Sequence, residues 1–201
     1  MISSNPDPAQ LYLASKSPRR QELLGQLGLR YRVLDPLLDE SVFVEPTVSR
    51  LASRLAVAKV DAGFDIICRD EQPALPVLAA DTLVVQAGNC FGKPSDFQEF
   101  SAMFRQLSGQ WHEVITALAL RDDQRTIHRV SSNAVRFRII DETEIKHYWE
   151  SGEPIDKAGG YAIQGLGACF VVEIRGSFSA IMGLPLFELA GLLPEFGINV
   201  L

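Results

Sequence analysis

Acidic and cationic side chains stand in this chain at places where local structure does not call for them. Asp81 lies inside the apolar run VLAADTLVV, Lys59 on or beside the apolar face of an amphipathic stretch, and Lys16, Arg19 and Arg20 crowd around Ser15 and Ser17. Aspartate is depleted in strands, and a buried carboxylate without a partner is expensive. One reading of Asp81 is a strand-end residue bonded to neighbouring backbone amides. The other, which we favour because Thr82 adds a second polar group, is a carboxylate that binds a metal or takes a proton from water.

In Ser15-Lys16-Ser17-Pro18-Arg19-Arg20, Ser17 suits a helix N-cap and Pro18 the first helical position. Arginine carries the wrong charge there, because the first turn already bears partial positive charge. The cations make sense where an anion such as phosphate sits on the exposed N–H groups. The plainer reading is a solvated basic patch, at a cost on the order of a few tenths of a kcal/mol. On a helical wheel from Val48 to Ala62, Lys59 falls roughly 40° round from Leu55. A lysine there either snorkels to water or reaches an anion in a cleft. Phe91-Gly92-Lys93-Pro94 is a turn that presents Lys93. The glycine-rich DKAGGYAIQGLG either lets backbone approach a ligand or makes a flexible connection. Neither is a Walker loop, since GxxxxGK[ST] and a well-placed GxGxxG are both absent. Together these residues describe a groove for a polyphosphate bridged by a divalent cation.

The elements that must hold them can be read from periodicity and punctuation. Leu11 to Ala14 reads as a short strand, followed by a helix from Ser17-Pro18 that Gly28 ends. Tyr31 to Leu34 reads as a strand, then a loop with Asp39 and Glu40, then a helix from Pro46-Thr47 to about Ala62. Pro76 to Val85 is a buried strand. Ser95 with Gln98 resembles a capping box for a helix ending at Gly109. His112 to Leu120 and Thr126 to Ile140 read as long, partly exposed strands, and Asp141 with Glu144 as another helix start. CFVVEI is a last strand, and Gly183-Leu184-Pro185 introduces a C-terminal helix. Alternating elements with β-rich material between them predict an α/β fold.

The 201 residues are 47% hydrophobic and 22% charged, which predicts one globular domain over 1–201 rather than a disordered chain or a coiled coil. A net charge of −6 argues against a nucleic-acid partner held by bulk positive charge. Cys68, Cys90 and Cys169 are odd in number and form no CxxC, so neither a disulfide scaffold nor a zinc site is expected. They read as small core or loop residues rather than nucleophiles. His112, His128 and His147 receive no role. The start MISSNPDPAQ lacks the pattern of a secretory leader, and no run approaches the roughly 20 apolar residues of a membrane helix. The expectation is a cytoplasmic protein with no membrane contact.

Across nearly its whole length the chain resembles the Maf family of nucleoside triphosphate pyrophosphatases. The resemblance is carried by LASKSPRRQELL, Glu40 in the acidic loop, RLAVAK ending at Lys59, AADT, GKP, LSGQ, DKAGGYAIQG and GSFSAIMGLPL, in that order. It implies a hydrolase that cleaves between the α- and β-phosphates, with Mg²⁺ or Mn²⁺ as cofactor. It implies a mixed sheet with flanking helices forming two lobes around a cleft, similar to inosine triphosphate pyrophosphatases, and a homodimer. A subfamily acting on dTTP and UTP has SPRR, ADT and IQG. Another, acting on 7-methyl-GTP, has a tryptophan after SP, a glutamine after the aspartate, and SEG. Arg19, Thr82 and Gln164 fit the first. The chain departs from many members at Ala58, where glutamate is usual, and at Ala180, where asparagine is. Some members are linked to arrest of cell division, and the alternatives are a nucleotide-binding regulator with little catalysis and a pyrophosphatase for 7-methyl-GTP.

On this reading Asp81 activates the water and shares a metal with Glu40, since magnesium takes one or two carboxylates plus phosphate oxygens and waters. Arg20, Lys59 and Lys93 neutralise phosphate charge, and Ser15 and Ser17 donate hydrogen bonds. Arg19, Thr82 and Gln164 read the base. Uracil and thymine present two carbonyl acceptors flanking one N–H, which an arginine and an amide can match. A single methyl rarely gives more than roughly 1–3 kcal/mol of discrimination, so both pyrimidines should be accepted.

Overall fold

A computed structural model describes residues 8–200. In chain order the elements are β1 (Leu11–Ala14), α1 (Pro18–Gln26), β2 (Tyr31–Leu34), α2 (Val48–Arg69), β3 (Val77–Gln86) and β4 (Asn89–Phe91). Then come α3 (Phe97–Leu107), β5 (Trp111–Arg121), β6 (Thr126–Phe137), α4 (Glu142–Glu150), β7 (Val171–Arg175), α5 (Phe178–Met182) and α6 (Leu186–Leu192). The strands form one seven-stranded mixed sheet in the order β2-β1-β3-β5-β6-β7, with β4 also on β3. The predicted α/β class with flanking helices is what the chain adopts. No described helix is long and apolar enough to cross a membrane.

The sheet has a break that matters for everything below. Along one edge of β3, β1 runs parallel beside Val77 and Leu78, and β4 runs antiparallel beside Val84 to Gln86. Between them, residues 79–83 have no strand on that edge among the described residues, whereas β5 pairs with β3 along the opposite edge throughout. Asp81 and Thr82 sit in this gap. Asp81 is therefore a mid-strand residue, not the strand-end residue of the alternative reading.

The two faces of the sheet are packed differently. On one lies α2 alone, through Ala52, Ala56, Val60 and Ile67 against Ala14, Val77, Ala79, Ala117 and Ala119. These small residues let the helix come close. A Cβ at Gly63 would stand 3.0 Å from both the Ala14 Cβ and a Val77 methyl. The opposite face buries Leu23 and Leu24 of α1, Phe100 and Phe104 of α3, Tyr148 of α4, Met182 of α5 and Leu189 of α6 in the larger core. Successive strand residues alternate between faces. On β3, Val77, Ala79 and Val85 face α2 while Leu78, Ala80 and Val84 face the larger core. The same alternation turns Asp81 towards α2 and Thr82 towards α1 and α5.

Several boundaries differ from the sequence expectation. Helix α2 continues past Ala62 to Arg69, because Gly63 serves close packing rather than termination. The cap of α3 is one residue later than Ser95: the Asp96 carboxylate accepts the Glu99 N–H at 2.8 Å, and the Glu99 carboxylate accepts from Ser95 N–H and Oγ. Asp141 and Glu144 form the expected capping box. The five-residue α5 carries no sequence signal strong enough to be read. β7 begins at Val171 because Leu166–Phe170 coils into a 3₁₀ turn. Strand β5 is buried from Val114 to Leu120 instead of partly exposed. All three cysteines are exposed, so none is a core residue.

Candidate active site

A cleft of about 740 Å³ opens at the gap in the sheet. Asp81, Glu40, Lys59, Lys93, Ser15, Ser17, Arg19, Arg20, Thr82 and Gln164 all line it. They arrive from seven parts of the chain: the β1–α1 turn, the first turn of α1, the loop after β2, α2, β3, the turn after β4, and the glycine-rich segment.

The α2 side of β3 supplies an acidic pair held by one lysine. Lys59 Nζ donates to Asp81 Oδ1 at 2.5 Å and lies 2.9 Å from Glu40 Oε1. Side chains of Lys59 and Asp81 are 14% and 8% exposed, whereas Glu40 is 49% exposed, so the pair is buried at its base and open at its mouth. Close packing of α2 is what brings a lysine on its face within reach of a strand residue. Snorkelling, the alternative for Lys59, does not occur. Desolvation acts to raise the Glu40 pKa, but the hydrogen bond and charge of Lys59, then the charges of Lys93 and Arg20, outweigh it and hold the carboxyl below its ordinary value. Asp81 Oδ2 is buried without a hydrogen-bond partner among the described residues. A buried carboxylate oxygen left open in a cleft is the acceptor a cation or a water would use.

The α1 side supplies fixed cations. Arg20 Nε donates to the Gly183 carbonyl at 2.9 Å, one terminal nitrogen to Ser15 Oγ at 3.0 Å, and the other lies 3.5 Å from Thr82 Oγ1. Burial lowers the Arg20 pKa, with Asp81 and Glu40 raising it and Arg19 lowering it further. Ser15 Oγ also accepts the Ser17 N–H at 3.3 Å, which folds the turn around the helix start. Ser17 occupies the N-cap position but its side chain makes no capping bond. The hydroxyl and the first-turn amides thus remain available to an anion, as the arginines there implied. Thr116 Oγ1 lies 3.0 Å from Thr82 Oγ1 and 2.8 Å from the Ala180 carbonyl. A carbonyl only accepts, so the single Thr116 proton goes to Ala180 and Thr82 donates to Thr116.

At the far end, Arg19 is half-buried beside Asp156 and Lys157, and Gln164 is exposed on the cleft wall. Burial lowers the Arg19 pKa, with Asp156 opposing. Lys16 is drawn off to Asp35 at 2.5 Å on the rim, so that cation is already paired. Lys157 and Tyr161 line the cleft without having been singled out in the sequence, and lysine within a glycine-rich run was the available signal for the first.

The glycine-rich segment does something other than admit a ligand or flex. A Cβ on Gly159 would stand 2.9 Å from Val84, one on Gly160 2.8 Å from the Phe100 ring, and one on Gly167 2.7 Å from both Ala162 O and Tyr148 Oη. These glycines exist for contact with the protein's own core.

Among the described residues no group of three or more His, Cys, Asp or Glu is arranged to hold a metal ion. Two carboxylates with one open oxygen are nonetheless a donor set that suits magnesium, which keeps waters and phosphate oxygens in its shell.

The family model described as "Maf-like protein" matches residues 10–196. A protein of Hahella chejuensis named dTTP/UTP pyrophosphatase is 46% identical over 200 residues, covering 100% of this chain and 98% of that one. One of the same name from Aromatoleum aromaticum is 47% identical, covering 96% and 98%. Another from Salmonella typhimurium is 46% identical, covering 92% of each. Among solved structures, that of the Staphylococcus aureus Ham1 protein aligns at a TM-score of 0.44 and 11% identity, over 63% of this chain and 71% of that one. With the family model spanning all but the ends and whole-length relatives at this identity, the chain belongs to the Maf family.

Proposed function

We propose that this protein is a nucleoside triphosphate pyrophosphatase that hydrolyses dTTP and UTP to the monophosphate and pyrophosphate. The observation that carries the reading is the Lys59-bridged pair of Asp81 and Glu40 facing Arg20 and Lys93 across one cleft. Relatives of the same length bear the matching name.

In this reading the triphosphate lies with its charge against Arg20, Lys59 and Lys93, and with Ser15, Ser17 and the α1 amides donating to its oxygens. Arg20 is preorganised, since Gly183 and Ser15 already fix its plane. Asp81 orients a water and takes its proton. Attack at the α-phosphorus breaks the α–β bridge, and the bridging oxygen leaves with pyrophosphate. Glu40 and Asp81 would hold Mg²⁺ or Mn²⁺, which supplies charge neutralisation at the phosphates. Arg19, Thr82 and Gln164 read the pyrimidine edge. The reading includes a cytoplasmic homodimer, which light scattering on the purified protein and cell fractionation test.

The decisive measurement is pyrophosphate release from a panel of triphosphates with and without Mg²⁺. Turnover of dTTP and UTP above the purine triphosphates, abolished by chelation, is expected; equal rates on all, or none, overturn the proposal. Asp81→Asn should cost about 10²–10⁴-fold in kcat while nucleotide binding persists. Wild-type turnover in that variant removes Asp81 from the mechanism.

A further inference from the structure

Gln164, on the wall of the cleft, has no hydrogen bond of its own among the described residues and an exposed side chain. Its position is therefore set by the backbone that carries it. That backbone hangs on two side chains from outside the cleft lining. The Glu153 carboxylate accepts the Leu166 N–H and the Gly167 N–H, each at 2.9 Å, and the Tyr148 hydroxyl at 2.7 Å. Tyr148 Oη in turn accepts the Ala162 N–H at 3.2 Å. Residues on both sides of Gln164 are thus tied to one knot. Burial raises the Tyr148 pKa and the Glu153 carboxylate raises it further, so the phenol keeps its proton and donates. Lys157 belongs to the same knot: its Nζ donates to the Glu153 carbonyl at 2.6 Å and to that of Ile155 at 3.3 Å.

Two glycines show how tightly the segment is pressed down. A Cβ on Gly165 would collide with the Glu153 carboxylate, standing 2.7 Å from its carboxyl carbon. One on Gly167 would stand 2.7 Å from Tyr148 Oη. The two glycines of IQGLG are thus the imprint of the Glu153 carboxylate and the Tyr148 hydroxyl behind the loop.

We propose that Glu153, with Tyr148, is a positioning residue for base recognition: by anchoring residues 162–167 it sets where the Gln164 amide meets the pyrimidine. This rests on the reading of Gln164 as a base-contacting residue. A charged acceptor holding two amides and a phenol is stronger than neutral bonds, and its amide isostere cannot accept from all three with the same geometry. A displacement of the Gln164 backbone changes how the base is held, while the phosphate-contacting groups stay on other elements.

The test compares Glu153→Gln, Gln164→Ala and the double variant on UTP, dTTP and ATP, with thermal unfolding of each protein alongside. Glu153→Gln is expected to lower kcat/KM for UTP relative to ATP roughly tenfold, the worth of one charged hydrogen bond, mainly through KM. The double variant should be no less selective than Gln164→Ala alone, because both act through one contact. A loss in Glu153→Gln that is equal on all substrates marks a purely structural role and overturns the proposal. So does additive loss in the double variant. If Gln164→Ala itself leaves selectivity unchanged, the base-reading assignment fails. If Gln164→Ala shifts selectivity and Glu153→Gln does not, only the positioning role fails. Should Glu153→Gln not fold, Tyr148→Phe removes one donor from the knot at nearly constant volume and is held to the same outcomes.

Discussion

His112 makes a pH dependence of stability that can be worked out from its surroundings. The ring is 2% exposed on β5, with Nε2 at 2.8 Å from Tyr161 Oη and Nδ1 without a partner. Phe137 packs against it edge-on at 4.8 Å between centroids. Whichever tautomer is present, a second proton would create a charged ring with an N–H that has no acceptor. Burial accordingly lowers the pKa from 6.5 to about 4. In the unfolded chain the imidazole titrates at its ordinary value, so between those two pH values the unfolded state binds more protons than the folded one. Stability is full above about pH 6.5 and falls as pH drops towards 4. At about 1.36 kcal/mol per unit the whole loss is about 3 kcal/mol, of which about 2 kcal/mol is gone by pH 5. The carboxylates with lowered pKa, Glu40, Asp70, Glu99, Glu142, Glu144 and Glu153, act below their ordinary values of 3.8 for aspartate and 4.5 for glutamate, outside most of this window. Urea unfolding at pH 7, 6 and 5 on the nucleotide-free protein measures the slope, and His112→Gln removes the titration while His128 and His147 remain. Parallel pH slopes in the two proteins would refute the argument.

Two further predictions concern the site's supports. Lys59→Met leaves Asp81 and Glu40 facing each other without their shared cation, which should cost about 3–5 kcal/mol in unfolding free energy. Adding Asp81→Leu should recover most of that loss; failure to recover any would mean that the lysine stabilises by packing alone. Gly160→Ala puts a Cβ 2.8 Å from the Phe100 ring at a backbone φ of +69°. The combined strain is roughly 2–4 kcal/mol, which calorimetry reads as a fall in Tm of several degrees, and an unchanged Tm would contradict it.

Much of the site was legible because each member breaks a local rule. Asp81 interrupts a run of apolar residues, Lys59 lies against its helix's pattern, and Arg19 and Arg20 sit at the wrong end of a dipole. Such violations are costly alone, so they point to partners elsewhere. What was misread follows the same logic in reverse. The helix expected to stop near Ala62 runs on through Gly63, and that glycine, like those of DKAGGYAIQGLG, read as freedom for a ligand or a flexible connection, answers to atoms far away in sequence. A missing Cβ records that something is close but not what it is. Glu153 broke no rule in its own neighbourhood, so nothing marked it.

The sequence by itself determined most of the alternation of strands and helices, the apolar face of the helix that carries Lys59, and the set of charged residues that local structure could not satisfy. These depend on periods of 2 and 3.6 residues and on capping, which act within a few positions. Only the tertiary structure decided that β1 and β4 would share an edge of β3 and leave residues 79–83 open between them. It also decided that α2 would lie close enough for Lys59 to join Asp81 to Glu40, and that Glu153 would reach around to hold the segment bearing Gln164. Those arrangements depend on strand pairing and side-chain volumes across the whole sheet, where each contact is permitted only by the others, and no local window of residues contains that information.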